Sequence, residues 1–171
     1  SSQITIDQSI AKPSVTAEAA ILMDAATGQI LFEKNADEKL YPASTTKLMT
    51  SLLAAEKLNL TDTVKFNSSA VNGLESGATT AGMKAGDTMS VNDALHAVLL
   101  RSACEVANAL GESVSGSASS FAAFMNQKAA ELGCTNTHFE NASGLNNSNH
   151  YTTVRDMALI TRAALANDTV R

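Results

Sequence analysis

The chain has 171 residues, 44% of them hydrophobic, which is enough for one hydrophobic core and too few for two comfortable domains. A formal net charge of −5, with no run of Lys or Arg, argues against nucleic-acid binding, which needs a basic footprint, and against docking on anionic lipid. No apolar stretch approaches the roughly 20 residues of a membrane-spanning helix, and with no Trp, five Phe and two Tyr the core must rest on aliphatic side chains, Ala and Met.

Residues 1–15 are polar, carry Pro13 and read as a lead-in segment; 16–171 read as the folded domain. Residues 19–24 are predicted as a strand, 25–29 as a turn containing Gly28, and 30–34 as the return strand of a hairpin. A polar connection follows to Tyr41, and Pro42 suits the first turn of a helix, where its missing N–H costs nothing. The spacing predicts a helix over 44–58 whose stripe of Leu48, Met49, Leu52, Leu53 and Ala55 is core. Residues 63–66 form a short strand candidate. The segment 67–87, with Gly73, Gly77, Gly82 and Gly86, reads as a loop-rich stretch that lines a site or wraps an edge.

Ser90 is placed to cap a helix running through Leu100, with Asp93 at the positive end of its dipole. Residues 101–104 interrupt it. Further helices are predicted over 105–114 and 117–132, with Gly116 and Gly133 as stops. Residues 137–140 are a short extended piece and 141–149 are turn-like. Thr153 to Asp156 read as a capping box that opens a last helix to about Ala166, with Asp156 as a cap residue.

The chemistry centres on Ser44-Thr45-Thr46-Lys47. Residues three apart share a helix face, so the Lys47 amine is expected within reach of the Ser44 hydroxyl. Serine is a weak nucleophile until a neighbour takes its proton, and burial and the positive end of a helix dipole both favour an uncharged amine that can do so. His96, His138 and His150 show no metal-ligand spacing, and His138 is expected in a structural role. Lys84 and Arg155 are expected to be solvated or ion-paired. Cys104 and Cys134 are read as free buried thiols rather than as a bridge.

Taken in order, several motifs resemble the serine D-alanyl-D-alanine carboxypeptidases, the low-molecular-mass penicillin-binding proteins. They are Pro42-Ala43-Ser44-Thr45-Thr46-Lys47, Met83-Lys84-Ala85-Gly86-Asp87, Ser102-Ala103-Cys104, Asn136-Thr137-His138-Phe139, Ser143-Gly144-Leu145 and Tyr151-Thr152-Thr153-Val154-Arg155-Asp156. The resemblance runs from about residue 19 to 168. It implies that Ser44 is the nucleophile, that Lys47 accepts its proton and that Ser102 relays a proton to the leaving amine. Position 104 is Asn in the usual family motif. Cys104 is a weak donor and weak acceptor, so its substrate contact is expected to be weakened. Plain helix packing is an equally good reading of Cys104, whereas a catalytic thiol lacks a neighbouring His.

The implied fold is α/β, similar to serine β-lactamases and penicillin-binding proteins, with an antiparallel sheet flanked by helices and a mostly helical lobe over about 67–166. The family's Lys-Thr-Gly strand motif does not occur in these residues. The chain is therefore expected to be an incomplete catalytic domain, whether truncated, proteolysed or half of a two-chain assembly, with a missing C-terminal segment or second chain completing it. The implied partners are peptidoglycan stem peptides ending in D-Ala-D-Ala and β-lactam antibiotics, acting outside the cytoplasmic membrane, with no cofactor and no metal. A penicillin-binding sensor of the same fold is the alternative. A β-lactamase ranks below it, because no Glu-x-x-Leu-Asn stretch is present.

Overall fold

The computed structural model of the chain describes residues 2–171. Alternating side chains place the first hairpin where the sequence predicts it. Strand β1 (Ala20–Met23) pairs antiparallel with β2 (Ile30–Lys34), Ala20 opposite Lys34 and Leu22 opposite Phe32, with a bulge between Leu22 and Met23. The Asp24 carboxylate closes the turn by accepting the N–H groups of Ala26 (2.7 Å) and Thr27 (3.0 Å). These bonds hold its pKa below the usual carboxylate range, the Thr27 N–H contributing most.

The predicted helix over 44–58 divides in two. A 3-10 turn over Ala43–Thr45 precedes helix α1 (Thr46–Lys57). Pro42 sits at φ −70° before the turn, and Ala43 takes a left-handed φ of 45°. Eight of the first nine residues of α1 are buried, from Thr46 to Ala54 with Leu48 half-buried. A helix buried on this scale is a hub, and the four long helices that follow it in the chain pack around it.

Strand β3 (Thr63–Lys65) is followed by a single turn of helix, α2 (Ser68–Val71), then strand β4 (Thr88–Ser90) and helix α3 (Val91–Arg101). Helices α4 (Cys104–Ser115), α5 (Ala118–Glu131) and α6 (Val154–Ala166) complete the order. One core cluster joins Ala54 of α1 to Val64, Phe66, Val91, Leu95, Val98, Val106 and Leu110. A second joins Met49 and Leu53 of α1 to Phe121, Met125, Phe139 and Ile160. α1 therefore contributes to both.

Strand β4 begins directly after the stretch read as loop, 67–87, and ends at Ser90, the residue read as a helix cap. It is three residues long and exists only through its antiparallel pairing with β3 (Val64 opposite Met89), a contact with no local signal. The sheet that the resemblance implies is represented by the β1–β2 hairpin, and the β3–β4 pair lies among the helices as a second two-stranded sheet.

The helix starts follow capping chemistry. Ser90, Ser117 and Thr153 each accept, through the side-chain oxygen, the N–H three residues on, at 3.1 Å. One expectation fails here. Asp156 does not cap α6 with its carboxylate; its side chain is buried and accepts the Asn136 N–H (2.9 Å) and the Thr137 hydroxyl (2.7 Å), anchoring the 134–139 segment to α6. Arg155 is ion-paired as expected, with Asp37 at 2.8 Å and Glu33 at 3.1 Å. Arg162 fastens the other end of the hairpin by donating to the carbonyls of Ala25 (2.9 Å) and Ala26 (3.0 Å).

Helices α4 and α5 approach closely at Gly111, where an added Cβ would sit 2.7 Å from the Phe121 ring. Gly111→Ala is expected to destabilise the protein, because overpacking of about 1–3 kcal/mol exceeds the roughly 1 kcal/mol that Ala gains over Gly in a helix. Urea unfolding measures the difference, and a more stable variant contradicts the packing described.

Candidate active site

Two separate stretches of chain, 44–47 and 102–104, bring the predicted residues to one cleft of about 270 Å³. Ser44 comes from the 3-10 turn, Lys47 from the first turn of α1, and Ser102 and Cys104 from the junction of α3 and α4. The loops 75–79 and 143–146 form the remaining walls.

Ser44 is exposed, whereas Lys47 is only 4% exposed. An ammonium or amine this deep needs a hydrogen-bond partner. Lys47 Nζ donates to the carbonyl oxygen of Ser143 at 2.6 Å. The sequence places this amine within reach of Ser44; in the structure the hydrogen bond of Lys47 goes to Ser143, and Ser44 shares the cleft with it. The reason is a loop, 141–146, docked against the start of α1. Asn141 organises it by accepting the Gly144 N–H (2.7 Å) and donating to Leu145 O (3.0 Å). Thr50 fastens it by donating to Ala142 O (2.7 Å). Gly144 has φ 84°, and a Cβ there would overlap the backbone carbonyl of Ala43. Only glycine permits that approach.

Beneath the turn lies His150, 1% exposed. Its Nδ1 accepts the Glu140 N–H (2.9 Å), so the neutral ring carries its proton on Nε2 and donates it to Thr46 Oγ1 (2.8 Å). Burial pushes its pKa down to about 4, only partly opposed by Glu140. The ring is therefore an uncharged strut between the 140–150 loop and α1.

Ser102 ends α3 in a left-handed conformation, φ 54°. Ala43, immediately before Ser44, is the other left-handed residue on the cleft wall that is not glycine. Each such position costs on the order of 1–3 kcal/mol, and the surrounding packing holds both. Cys104 Sγ lies 3.9 Å from Ser102 O, a weak contact, while Cys104 N–H donates to Thr79 O (2.9 Å). Glu105, 1% exposed in the first turn of α4, accepts the N–H groups of Ala81 (2.5 Å) and Met83 (3.3 Å). The positive end of the helix favours a carboxylate there. This one side chain thus holds the 76–83 loop over the cleft.

The two thiols are free and buried, as expected. Burial, with the charge of Asp156 nearby, pushes Cys134 up to about 12. His138 Nδ1 donates to Asn149 O (2.7 Å) in a structural position. Residues that sequence reasoning left without a role are Ser143, Gly144, His150, Glu75 and Glu105. Ser143-Gly144 was visible as a motif, but neither the carbonyl it presents nor the close approach it makes was. Among the described residues no group of three or more His, Cys, Asp or Glu side chains converges as a metal site.

Comparison with known proteins shows the family. The family model for D-alanyl-D-alanine carboxypeptidases, peptidase S11, matches residues 6–170, and the chain belongs to that family. It is 42% identical over 167 residues to D-alanyl-D-alanine carboxypeptidase DacC of Escherichia coli, covering 93% of this chain and 42% of that one. It is 35% identical to DacF of Bacillus subtilis, covering 90% of this chain and 40% of that one. Among solved structures, the carboxypeptidase DacD of Francisella tularensis aligns with a TM-score of 0.87 at 33% identity, over 98% of this chain and 41% of that one. Penicillin-binding protein 6B of Escherichia coli aligns at 0.89 and 29% identity, over 97% of this chain and 55% of that one. The fold is thus that of the penicillin-binding proteins, and the chain spans about two fifths of the length of the two curated relatives it matches.

The buried neutral His150 makes a pH prediction. Its folded pKa lies near 4, below the ordinary 6.5, so the unfolded chain takes up a proton that the folded chain refuses. Stability is full above about pH 6.5 and falls as the pH drops toward 4, by on the order of 3 kcal/mol. Urea unfolding between pH 7 and pH 4 should show this slope, and His150→Gln should remove most of it. A slope unchanged in the variant contradicts the assignment.

Proposed function

We propose that this chain carries the nucleophile-bearing part of a serine D-alanyl-D-alanine carboxypeptidase that acts on peptidoglycan stem peptides outside the cytoplasmic membrane. The observation that carries the reading is the convergence of Ser44 and Lys47, from the 3-10 turn and the start of α1, with Ser102, from the α3–α4 junction, on one cleft.

Ser44 Oγ attacks the carbonyl carbon of the penultimate D-Ala while Lys47 Nζ accepts the hydroxyl proton. The tetrahedral carbon collapses, the C–N bond breaks, and the terminal D-Ala leaves as an amine that receives its proton by way of Ser102. Water then attacks the acyl-Ser44 ester, returning the hydroxyl and releasing the shortened peptide. The Ser143 carbonyl supports the first step by fixing the position of the amine. The exposed turn that carries Ser44 leaves the nucleophile open to substrate.

Oxyanion stabilisation needs two donors. The Ser44 N–H is one, and the Lys-Thr-Gly strand expected outside these residues supplies the other and a cation for the substrate carboxylate. Removing one such donor costs about 2.7–4 kcal/mol. An apolar trough between β1 and α6, lined by Ile21, Met23, Val154, Met157, the 54% exposed Leu22 and the 46% exposed Leu165, is the seat for those strands. A β-lactam enters by the same chemistry, its strained amide standing in for the D-Ala-D-Ala bond.

Incubating the natural gene product that contains this chain with a β-lactam, followed by peptide mass spectrometry, should place a single acyl adduct on Ser44. Lys47→Ala should slow acylation by about 10²–10⁴-fold, as removal of a general base does. An adduct on another residue, or a near-normal rate in Lys47→Ala, contradicts the reading.

A further inference from the structure

Two charged side chains line the cleft, Lys47 and Glu75. They are placed differently. Lys47 is buried, whereas Glu75 is exposed on the loop that faces the 143–146 segment. Its position is nonetheless fixed. Glu75 Oε1 accepts the Asn146 N–H from the opposite wall at 3.1 Å, and the Glu75 carbonyl accepts the Ala78 N–H, also at 3.1 Å. Among the described residues Oε2 makes no hydrogen bond and Glu75 has no cationic partner, so a negative charge is held at the mouth of the cleft without compensation.

That charge sorts the two ends of a peptide. A D-Ala-D-Ala terminus carries a carboxylate, which Glu75 repels, so the terminus must lie away from the 75–79 wall. The acyl side of the scissile bond then lies toward Glu75, where a cationic group is favoured. We propose that Glu75 is a specificity-determining residue that selects acyl-D-Ala-D-Ala donors bearing a free amino group on the residue before the dipeptide. The inference rests on the carboxypeptidase reading above and adds to it a preference at the acyl side. The pairing is solvent-exposed, so its effect is modest, about threefold to fivefold, and sensitive to salt.

The test uses two synthetic peptides that differ only in whether the lysine before D-Ala-D-Ala has a free or an acetylated ε-amine, with the natural gene product that contains this chain. The ratio of kcat/KM for free over acetylated peptide is expected to be about three to five at low ionic strength. It should fall toward one in high salt. Glu75→Gln keeps an acceptor for Asn146 N–H and should bring the ratio to about one, and Glu75→Lys should bring it below one. A wild-type ratio of one, or a ratio unchanged in Glu75→Gln, overturns the proposal. So does an equal fall in both rates, which would make Glu75 a structural link between the loops. Absence of D-Ala release from either peptide by the wild type, with no adduct on Ser44, instead overturns the carboxypeptidase reading and this inference with it.

Discussion

The docking of the 141–146 loop against the start of α1 is the contact on which the cleft depends. It has three parts that reinforce one another. Gly144, in a left-handed conformation, lets the loop backbone meet the Ala43 carbonyl without a side chain between them. Thr50 holds the Ala142 carbonyl one helical turn further along. The Ser143 carbonyl then satisfies the Lys47 amine at 2.6 Å in a place where water is excluded. A buried amine without a partner would bear the full cost of its lost hydration. The same contact therefore stabilises the fold and fixes the Lys47 amine in the cleft that Ser44 shares.

Around this contact the molecule is arranged to be rigid where the chemistry is. α1 reaches both core clusters, so its first turn is held from two sides, and His150 holds it from below through Thr46. The left-handed Ala43 and Ser102 are tolerated because their neighbours leave no alternative path for the chain. The more exposed wall, residues 75–79, is tied by backbone bonds and by two carboxylates, Glu105 beneath it and Glu75 across the mouth. On the side of β1 and α6, Leu22 and Leu165 are exposed.

Much of this was legible in the residues. The caps at Ser90, Ser117 and Thr153 are local chemistry, and so are the stops at Gly116 and Gly133. The apolar stripe of α1 marks a buried helix, spacing points to Ser44 and Lys47, and the family resemblance points to Ser102 and Cys104. What was not legible depends on long-range pairing. β4 has no strand signal apart from its partner. Asp156 looks like a cap residue because of Thr153, yet Asn136 and Thr137 claim its carboxylate. The destination of the Lys47 amine is a backbone carbonyl 96 residues away, which no side-chain motif encodes. His150 carries no pattern of its own, since a buried strut needs only one donor and one acceptor in the right places.

The direct measurement is on Gly144→Ala, read by urea unfolding and by the rate of β-lactam acylation in the natural gene product. Adding a Cβ at a left-handed position against backbone should lower the unfolding free energy by more than about 1 kcal/mol. It should also slow acylation at least tenfold, with helix content retained. A variant that acylates at the wild-type rate would show that the loop contact does not hold the base in place.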